Sequence, residues 1–145
     1  MQSAIRVFKF GGASVKDAAA VRNVASILKK YDNQNLVVVL SAMGKTTNAL
    51  ERVHQAYVSG GKSDALKRIS ESKQFHDSIL NELFKKDQAV FNAVSELFGA
   101  LENELIIAPE SSFDKSYDRI VSFGERIATT ILSAFLIDSG FNVTH

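Results

Sequence analysis

The first forty residues alternate between apolar runs and short polar segments. Residues 5–10 (IRVFKF) form an apolar run that predicts a buried strand. From Asp17 to Lys30 the apolar residues recur at helical spacing, and Asp17 can cap that helix. The run 36–40 (LVVVL) is typical of a parallel strand covered on both faces. These segments predict a βαβ unit with parallel strands and a right-handed crossover, the helix packing through Val21, Val24, Ala25 and Leu28.

Helical patterns occupy the middle of the chain. A helix is predicted over 49–59, ended by Gly60-Gly61, followed by a helical insert over 63–84 and 88–107 with a break near 85–87. Glu102 and Glu104 beside the apolar face are expected to be solvated. The apolar residues are interpreted as packing positions: Leu66, Ile69, Phe75, Ile79, Leu80, Leu83, Val90, Val94, Leu97, Phe98, Leu101 and Leu105.

A last helix is predicted over 115–139, after punctuation by Pro109. The segment 122–126 (SFGER) interrupts it, and Gly140 ends it as a C′ glycine. Residues 141–145 begin an extended segment, which leads us to expect a longer polypeptide. The residues expected to face inward are Ile120, Ile127, Ile131, Leu132, Phe135 and Leu136.

Composition narrows the classes of function. The 145 residues are enough for one domain, and 46% apolar with 23% charged residues predicts a packed core. The net charge of +1 gives no electrostatic case for a nucleic-acid or membrane partner. The absence of cysteine excludes disulfides, thiolate catalysis and cysteine zinc sites, and agrees with a cytoplasmic location. No apolar run approaches the roughly 20 residues of a membrane span, no signal peptide is visible, and the three histidines share no metal-binding spacing.

Three short segments have the residue types of a phosphate-handling site. In the first, Lys9 and two glycines, Gly11 and Gly12, follow a strand and precede a helix, an arrangement that can bring backbone N–H groups to a phosphate. From this segment alone, a tight turn with an incidental lysine is an equally good interpretation. The second is 41–48 (SAMGKTTN), which is not a Walker A motif because Val39 stands where that motif needs glycine. The third is 122–126.

In this order and at these separations, the three segments resemble the N-terminal half of aspartate kinases, members of the amino-acid kinase superfamily. The resemblance covers essentially the whole chain, including the helical insert. It implies an α/β fold with three αβα layers and a mainly parallel sheet, here truncated and carrying the insert. Residues 1–145 would then be the N-terminal part of the catalytic domain, without its C-terminal half and without the regulatory ACT domains.

The resemblance also implies a reaction and a set of site residues. Aspartate kinases use ATP and Mg²⁺ to phosphorylate the side-chain carboxylate of L-aspartate, giving 4-phospho-L-aspartate for lysine, threonine and methionine biosynthesis. Lys9 matches the catalytic, phosphate-contacting lysine, and Glu125 matches the glutamate that holds the substrate ammonium. Ala13 departs from the family's usual threonine. The ATP-phosphate loop is matched by Phe10, Gly11, Gly12 and Ser14, and the substrate hydroxyl positions are matched by Ser41 and Thr47.

Other interpretations remain at this point. From spacing alone, Glu125 is better explained as a solvated charge or as an ion-pair partner of Arg126, and Arg126 itself as structural. The chain could belong to another superfamily kinase, acting on glutamate, carbamate or a nucleotide, although SFGE at 122–125 favours the aspartate enzymes. It could also be a helical interaction module built from 49–107. The expected partners are L-aspartate and ATP, with homo-oligomerisation of the longer protein, and the chain alone is expected to fold at least partly without kinase activity.

Overall fold

A computed structural model describes residues 5–86, 88–107 and 113–145. Pro109, predicted to punctuate the chain, and Asp87, in the predicted break, lie outside them. Within the described ranges the chain forms a two-stranded sheet and a set of helices. Their bounds are β1 Ile5–Phe10, a 3₁₀ turn Gly12–Val15, α1 Ala18–Lys29, β2 Asn35–Leu40, α2 Thr46–Val58, α3 Lys62–Leu83, α4 Ala89–Glu104, α5 Phe113–Val121 and α6 Phe123–Asp138.

The N-terminal elements form the predicted parallel unit. β1 pairs with β2 in parallel, from Ile5 opposite Asn35 to Phe10 opposite Leu40. The Asp17 side chain accepts a hydrogen bond of 2.8 Å from the Ala20 N–H, so the predicted cap of α1 is confirmed. The four apolar residues predicted to pack from α1 are all buried.

The predictions of a buried first strand and of a second strand covered on both faces are wrong for this chain. Ile5 and Val7 are 66% and 63% exposed, and Val37 and Val39 are 46% and 44% exposed. Val7 lies opposite Val37, and Ile5 and Val39 are each two residues along from them, so the four side chains share one face of the sheet. The described helices cover only the opposite face, where the packed residues are Phe8, Phe10, Leu36, Val38 and Leu40.

The helical region follows the predicted order with shifted boundaries. α2 begins at Thr46 rather than Ala49, two residues after Gly44, which has the positive φ of +56° that suits glycine. Two apolar positions were misassigned, because Leu66 and Phe75 are each 37% exposed. The other predicted core residues of α3 and α4 are buried or partly buried against the common core.

Two helices replace the predicted last helix. α5 ends at Val121 and α6 begins at Phe123, so the interruption near Ser122 is confirmed, while 141–145 form no strand. By length and composition Phe113–Asp138 could span a membrane, but 56% of its most apolar window is buried inside the fold. Glu104, expected to be solvated, is instead paired with Arg119.

Candidate active site

The loops that follow β1 and β2 pack backbone against backbone. The Ser41 N–H donates to the Phe10 carbonyl, and the Gly44 N–H donates to the Gly12 carbonyl, each at 3.0 Å. A Cβ atom at Gly12 would lie 2.7 Å from the Ala42 carbonyl oxygen and 2.8 Å from that of Gly44. Only glycine fits this crossing without displacing backbone, so the second glycine of the first segment is required by the fold.

The third segment contacts the same point. A Cβ atom at Gly124 would lie 2.8 Å from the Ala42 Cβ and 3.5 Å from the Thr46 Cγ2. Gly12, on the first loop, and Gly124, on α6, therefore both approach Ala42. The three segments picked out from the sequence meet at the C-terminal end of the parallel strands, where open α/β sheets bind ligands.

The first loop presents one charged side chain and a short turn. Lys9 is exposed and lies opposite Val39, so it shares the uncovered face of the sheet. Gly11 and Ser14 are exposed in the turn, and the Ser14 N–H donates to the Gly11 carbonyl at 2.9 Å. The first N–H groups of such a turn have no partner within it and can be offered to an anion.

Phe10, the remaining member of the predicted phosphate loop, points its side chain elsewhere. Its ring is 8% exposed, belongs to the core and stacks on Phe8 with 6.1 Å between centroids. Only the backbone of Phe10 therefore faces the two loops, where its carbonyl accepts the Ser41 bond.

The second loop combines half-buried and buried hydroxyl groups. Ser41 and Thr47 are half-buried, so neither residue is closed off from solvent. Thr46 is buried, and its hydroxyl donates to the Met43 carbonyl at 2.6 Å. The sequence did not assign Thr46 and Ala42 to the site. The only available signal for them was the small size of the residues in the 41–48 segment.

Glu125 lies in the first turn of α6 and is half-buried. Its carboxylate makes no ion pair with any residue in the described part of the chain. The Arg126 guanidinium instead lies over the Phe123 ring, 4.6 Å from its centroid. Of the two interpretations that spacing favoured, pairing with Arg126 is therefore not observed, and a partly solvated charge remains.

Two histidines lie in the core near these elements. Burial lowers the pKa of both His54 and His76. His54 Nε2 is 2.8 Å from the Ser116 hydroxyl, and His76 Nδ1 is 2.8 Å from the Ser72 carbonyl. Across the described ranges, no group of three or more His, Asp or Glu side chains is placed to hold a metal ion.

The similarity of this chain to known proteins identifies its family. The model of the amino acid kinase family matches residues 4–145. The chain belongs to the amino acid kinase family. It is 35% identical over 132 residues to aspartokinase 1, chloroplastic, of Arabidopsis thaliana, covering 90% of this chain and 23% of that protein. It is 30% identical over 135 residues to the aspartokinase of Chlamydia trachomatis, covering 92% of this chain and 28% of that protein.

A solved structure supports the same assignment. E. coli aspartokinase III in complex with aspartate and ADP superposes with a TM-score of 0.76 at 27% identity, covering 94% of this chain and 30% of that one. The described elements are therefore part of the αβα amino-acid kinase fold predicted from the motifs. The chain spans about a quarter of the length of the curated relatives it matches.

Proposed function

We propose that residues 1–145 are the N-terminal part of an aspartate kinase catalytic domain. The observation that carries the proposal is the meeting of three sequence segments at Ala42, which Gly12 and Gly124 both approach. This arrangement joins a lysine-and-glycine loop to a hydroxyl loop and a carboxylate. The solved relative with the same fold was crystallised with aspartate and ADP.

The reaction we propose is ATP-dependent phosphorylation of the L-aspartate side-chain carboxylate to 4-phospho-L-aspartate. Phosphoryl transfer depends on positioning and on neutralising charge that spreads over the transferred group. Lys9 supplies a cation that makes no ion pair in the described residues, and the backbone N–H groups of Gly11, Gly12 and the following turn supply aligned dipoles.

Aspartate would be held from the other side of the site. The half-buried Glu125 carboxylate suits an α-ammonium group, because no cation among the described residues forms an ion pair with it. Ser41 and Thr47 can hydrogen-bond substrate oxygens. Mg²⁺ would be carried by the nucleotide, whose charge it partly neutralises, and none of the described residues is assigned as its ligand.

The experiment is a coupled ADP-release assay on the whole polypeptide that the gene encodes, with L-aspartate and MgATP. Lys9→Ala should lower turnover by about 100-fold or more, as expected when a transition-state charge contact is lost. Lys67→Ala removes an exposed lysine on α3 and serves as the matched control. Near-normal turnover by Lys9→Ala would contradict the catalytic role, and a preference for glutamate, carbamate or a nucleotide would assign another kinase of the family.

The 145-residue chain itself should bind ligands weakly and show no aspartate kinase activity. Catalysis needs several loops to hold aspartate, nucleotide and metal in line, and misplacement alone can cost about 100-fold. Aspartate-dependent turnover within about tenfold of that of the whole polypeptide would show that these residues contain a complete site.

We further propose that the whole polypeptide is a soluble biosynthetic enzyme of the cytoplasm that assembles with copies of itself.

A further inference from the structure

Two neighbouring residues of α3 reach the loop that follows β2. The Phe75 Cζ would lie 3.4 Å from a Cβ at Gly44, so the ring sits directly over that glycine. The His76 Nε2 lies 3.4 Å from the Thr46 hydroxyl oxygen. The helical insert therefore contacts the middle of the 41–47 segment at two consecutive side chains.

The His76 ring is held firmly in this place. It is fully buried, and its Nδ1 is 2.8 Å from the Ser72 carbonyl oxygen of the same helix. A carbonyl can only accept, so Nδ1 carries the proton and Nε2 carries none. Because the Thr46 hydroxyl proton goes to the Met43 carbonyl, the 3.4 Å approach of Nε2 to Thr46 is a packing contact rather than a hydrogen bond. The rings of Phe75 and Phe98 flank the imidazole, with centroid distances of 5.0 Å and 5.5 Å.

Thr46 links this histidine to the rest of the site. Its hydroxyl donates to the Met43 carbonyl, which fixes the turn of the loop, and its methyl group is 3.5 Å from the position of a Cβ at Gly124. The residues that follow Thr46 and Gly124 in the chain are Thr47 and Glu125, both assigned to the aspartate pocket. A shift of Thr46 would displace both.

We propose that Phe75 and His76 are positioning residues for the 41–47 loop. They hold Gly44 and Thr46 in the positions that the proposed substrate-binding residues Thr47 and Glu125 require. The effect on catalysis rests on the proposed function, whereas the effect on the loop can be measured without any kinase activity. The helical insert then positions a loop of the site in addition to contributing residues to the hydrophobic core.

Hydrogen–deuterium exchange on the purified chain tests the structural part. His76→Leu removes the hydrogen bond to Ser72 and the ring's close contact with Thr46 at similar volume, and exchange of the 41–47 amides should accelerate about tenfold or more relative to amides of 127–136. His54→Leu is the matched control, because His54 is equally buried but bonds Ser116 on α5. It should leave the ratio between the two segments unchanged.

Two conservative variants separate the contacts of the imidazole. His76→Gln can place an amide near the position of Nε2 and should restore most of the loop protection. His76→Asn can reach only the Ser72 carbonyl and should not. Should His76→Leu fail to fold, Phe75→Ala removes the Gly44 contact from a partly exposed position and should accelerate exchange of the same loop.

The catalytic part is tested in the whole polypeptide. His76→Leu should raise the KM for aspartate about tenfold or more with a smaller change in the KM for ATP, and His76→Gln should reverse that change. Unchanged loop exchange in His76→Leu relative to His54→Leu, or equal protection by Gln and Asn, would overturn the proposal. Altered exchange without any kinase activity would retain the positioning role and reject only the proposed function.

Discussion

Gly12 and Ala42 lie so close together that a single added methyl group could not be accommodated: a Cβ at Gly12 would be 2.7 Å from the Ala42 carbonyl oxygen. Gly11, one residue earlier, has open space around it and an extended φ of −77°. Adjacent glycines of one motif therefore have different reasons to be glycine. The first can serve close approach of a ligand, and the second is required by contact between two loops.

This difference predicts opposite outcomes for two alanine substitutions. Gly12→Ala should lower the free energy of unfolding by about 1–3 kcal/mol, because backbone must move to admit the methyl group. Gly11→Ala should leave it within about 0.5 kcal/mol. Urea unfolding followed by circular dichroism measures both, and equal stabilities of the two variants would contradict the loop crossing.

Gly124 offers a second matched pair. Gly124→Ala places a Cβ 2.8 Å from that of Ala42 and should destabilise the chain by about 1–3 kcal/mol. Gly99 lies within α4 with nothing nearby, so Gly99→Ala should instead stabilise by about 0.5–1 kcal/mol through helix propensity. Thermal unfolding of the two proteins should shift in opposite directions, and a stabilised Gly124→Ala protein would rule out the close contact.

Glu125 predicts a substrate effect rather than a folding effect. If Glu125 holds the substrate ammonium as proposed, Glu125→Gln in the whole polypeptide should raise the KM for aspartate about tenfold or more while the KM for ATP changes little, because only that charge is lost. Glu102→Gln, at an exposed residue of α4, is the control. Steady-state kinetics with each substrate varied separately checks this, and equal changes in both KM values would contradict the role.

The buried histidines predict a loss of stability in mild acid. Burial lowers the folded-state pKa of His54 and His76 below the ordinary 6.5. Between the lowered pKa of the folded state and the ordinary 6.5 of the unfolded state, the unfolded chain binds more protons than the folded chain. The stability that the neutral histidines contribute is therefore fully present above pH 6.5 and falls as the pH drops below it. One proton per histidine sets the upper limit of this slope at about 1.4 kcal/mol per pH unit.

Unfolding free energies at pH 7.5, 6.5 and 5.5 measure this dependence. His54→Gln and His76→Gln should each flatten the profile between pH 6.5 and 5.5, and the double variant should flatten it further. His145→Gln is the control, because His145 is exposed. An unchanged slope in both single variants would show that carboxylates, rather than these histidines, control acid unfolding.

The sequence by itself determined the local elements and their order. The spacing of apolar residues and the helix caps are properties of residues that are neighbours in the chain. The sequence therefore predicted the helix after Asp17, its buried face and the parallel pairing of β1 with β2. The family assignment followed from three short segments in a fixed order. Burial that depends on packing against distant elements was less predictable. Ile5 and Val7 were predicted to be buried but lie on an uncovered face of the sheet.

Only the tertiary structure decided which residues meet. That Gly12 and Gly124 both approach Ala42, although more than a hundred residues separate them in the chain, depends on how α2 and α6 pack and has no local signature. The same holds for His76, which lies 30 residues after Thr46 on the following helix and which no spacing rule connects to the site. Contacts at long sequence separation are set by the shared core, so residue type and periodicity could identify the candidate groups but not their arrangement.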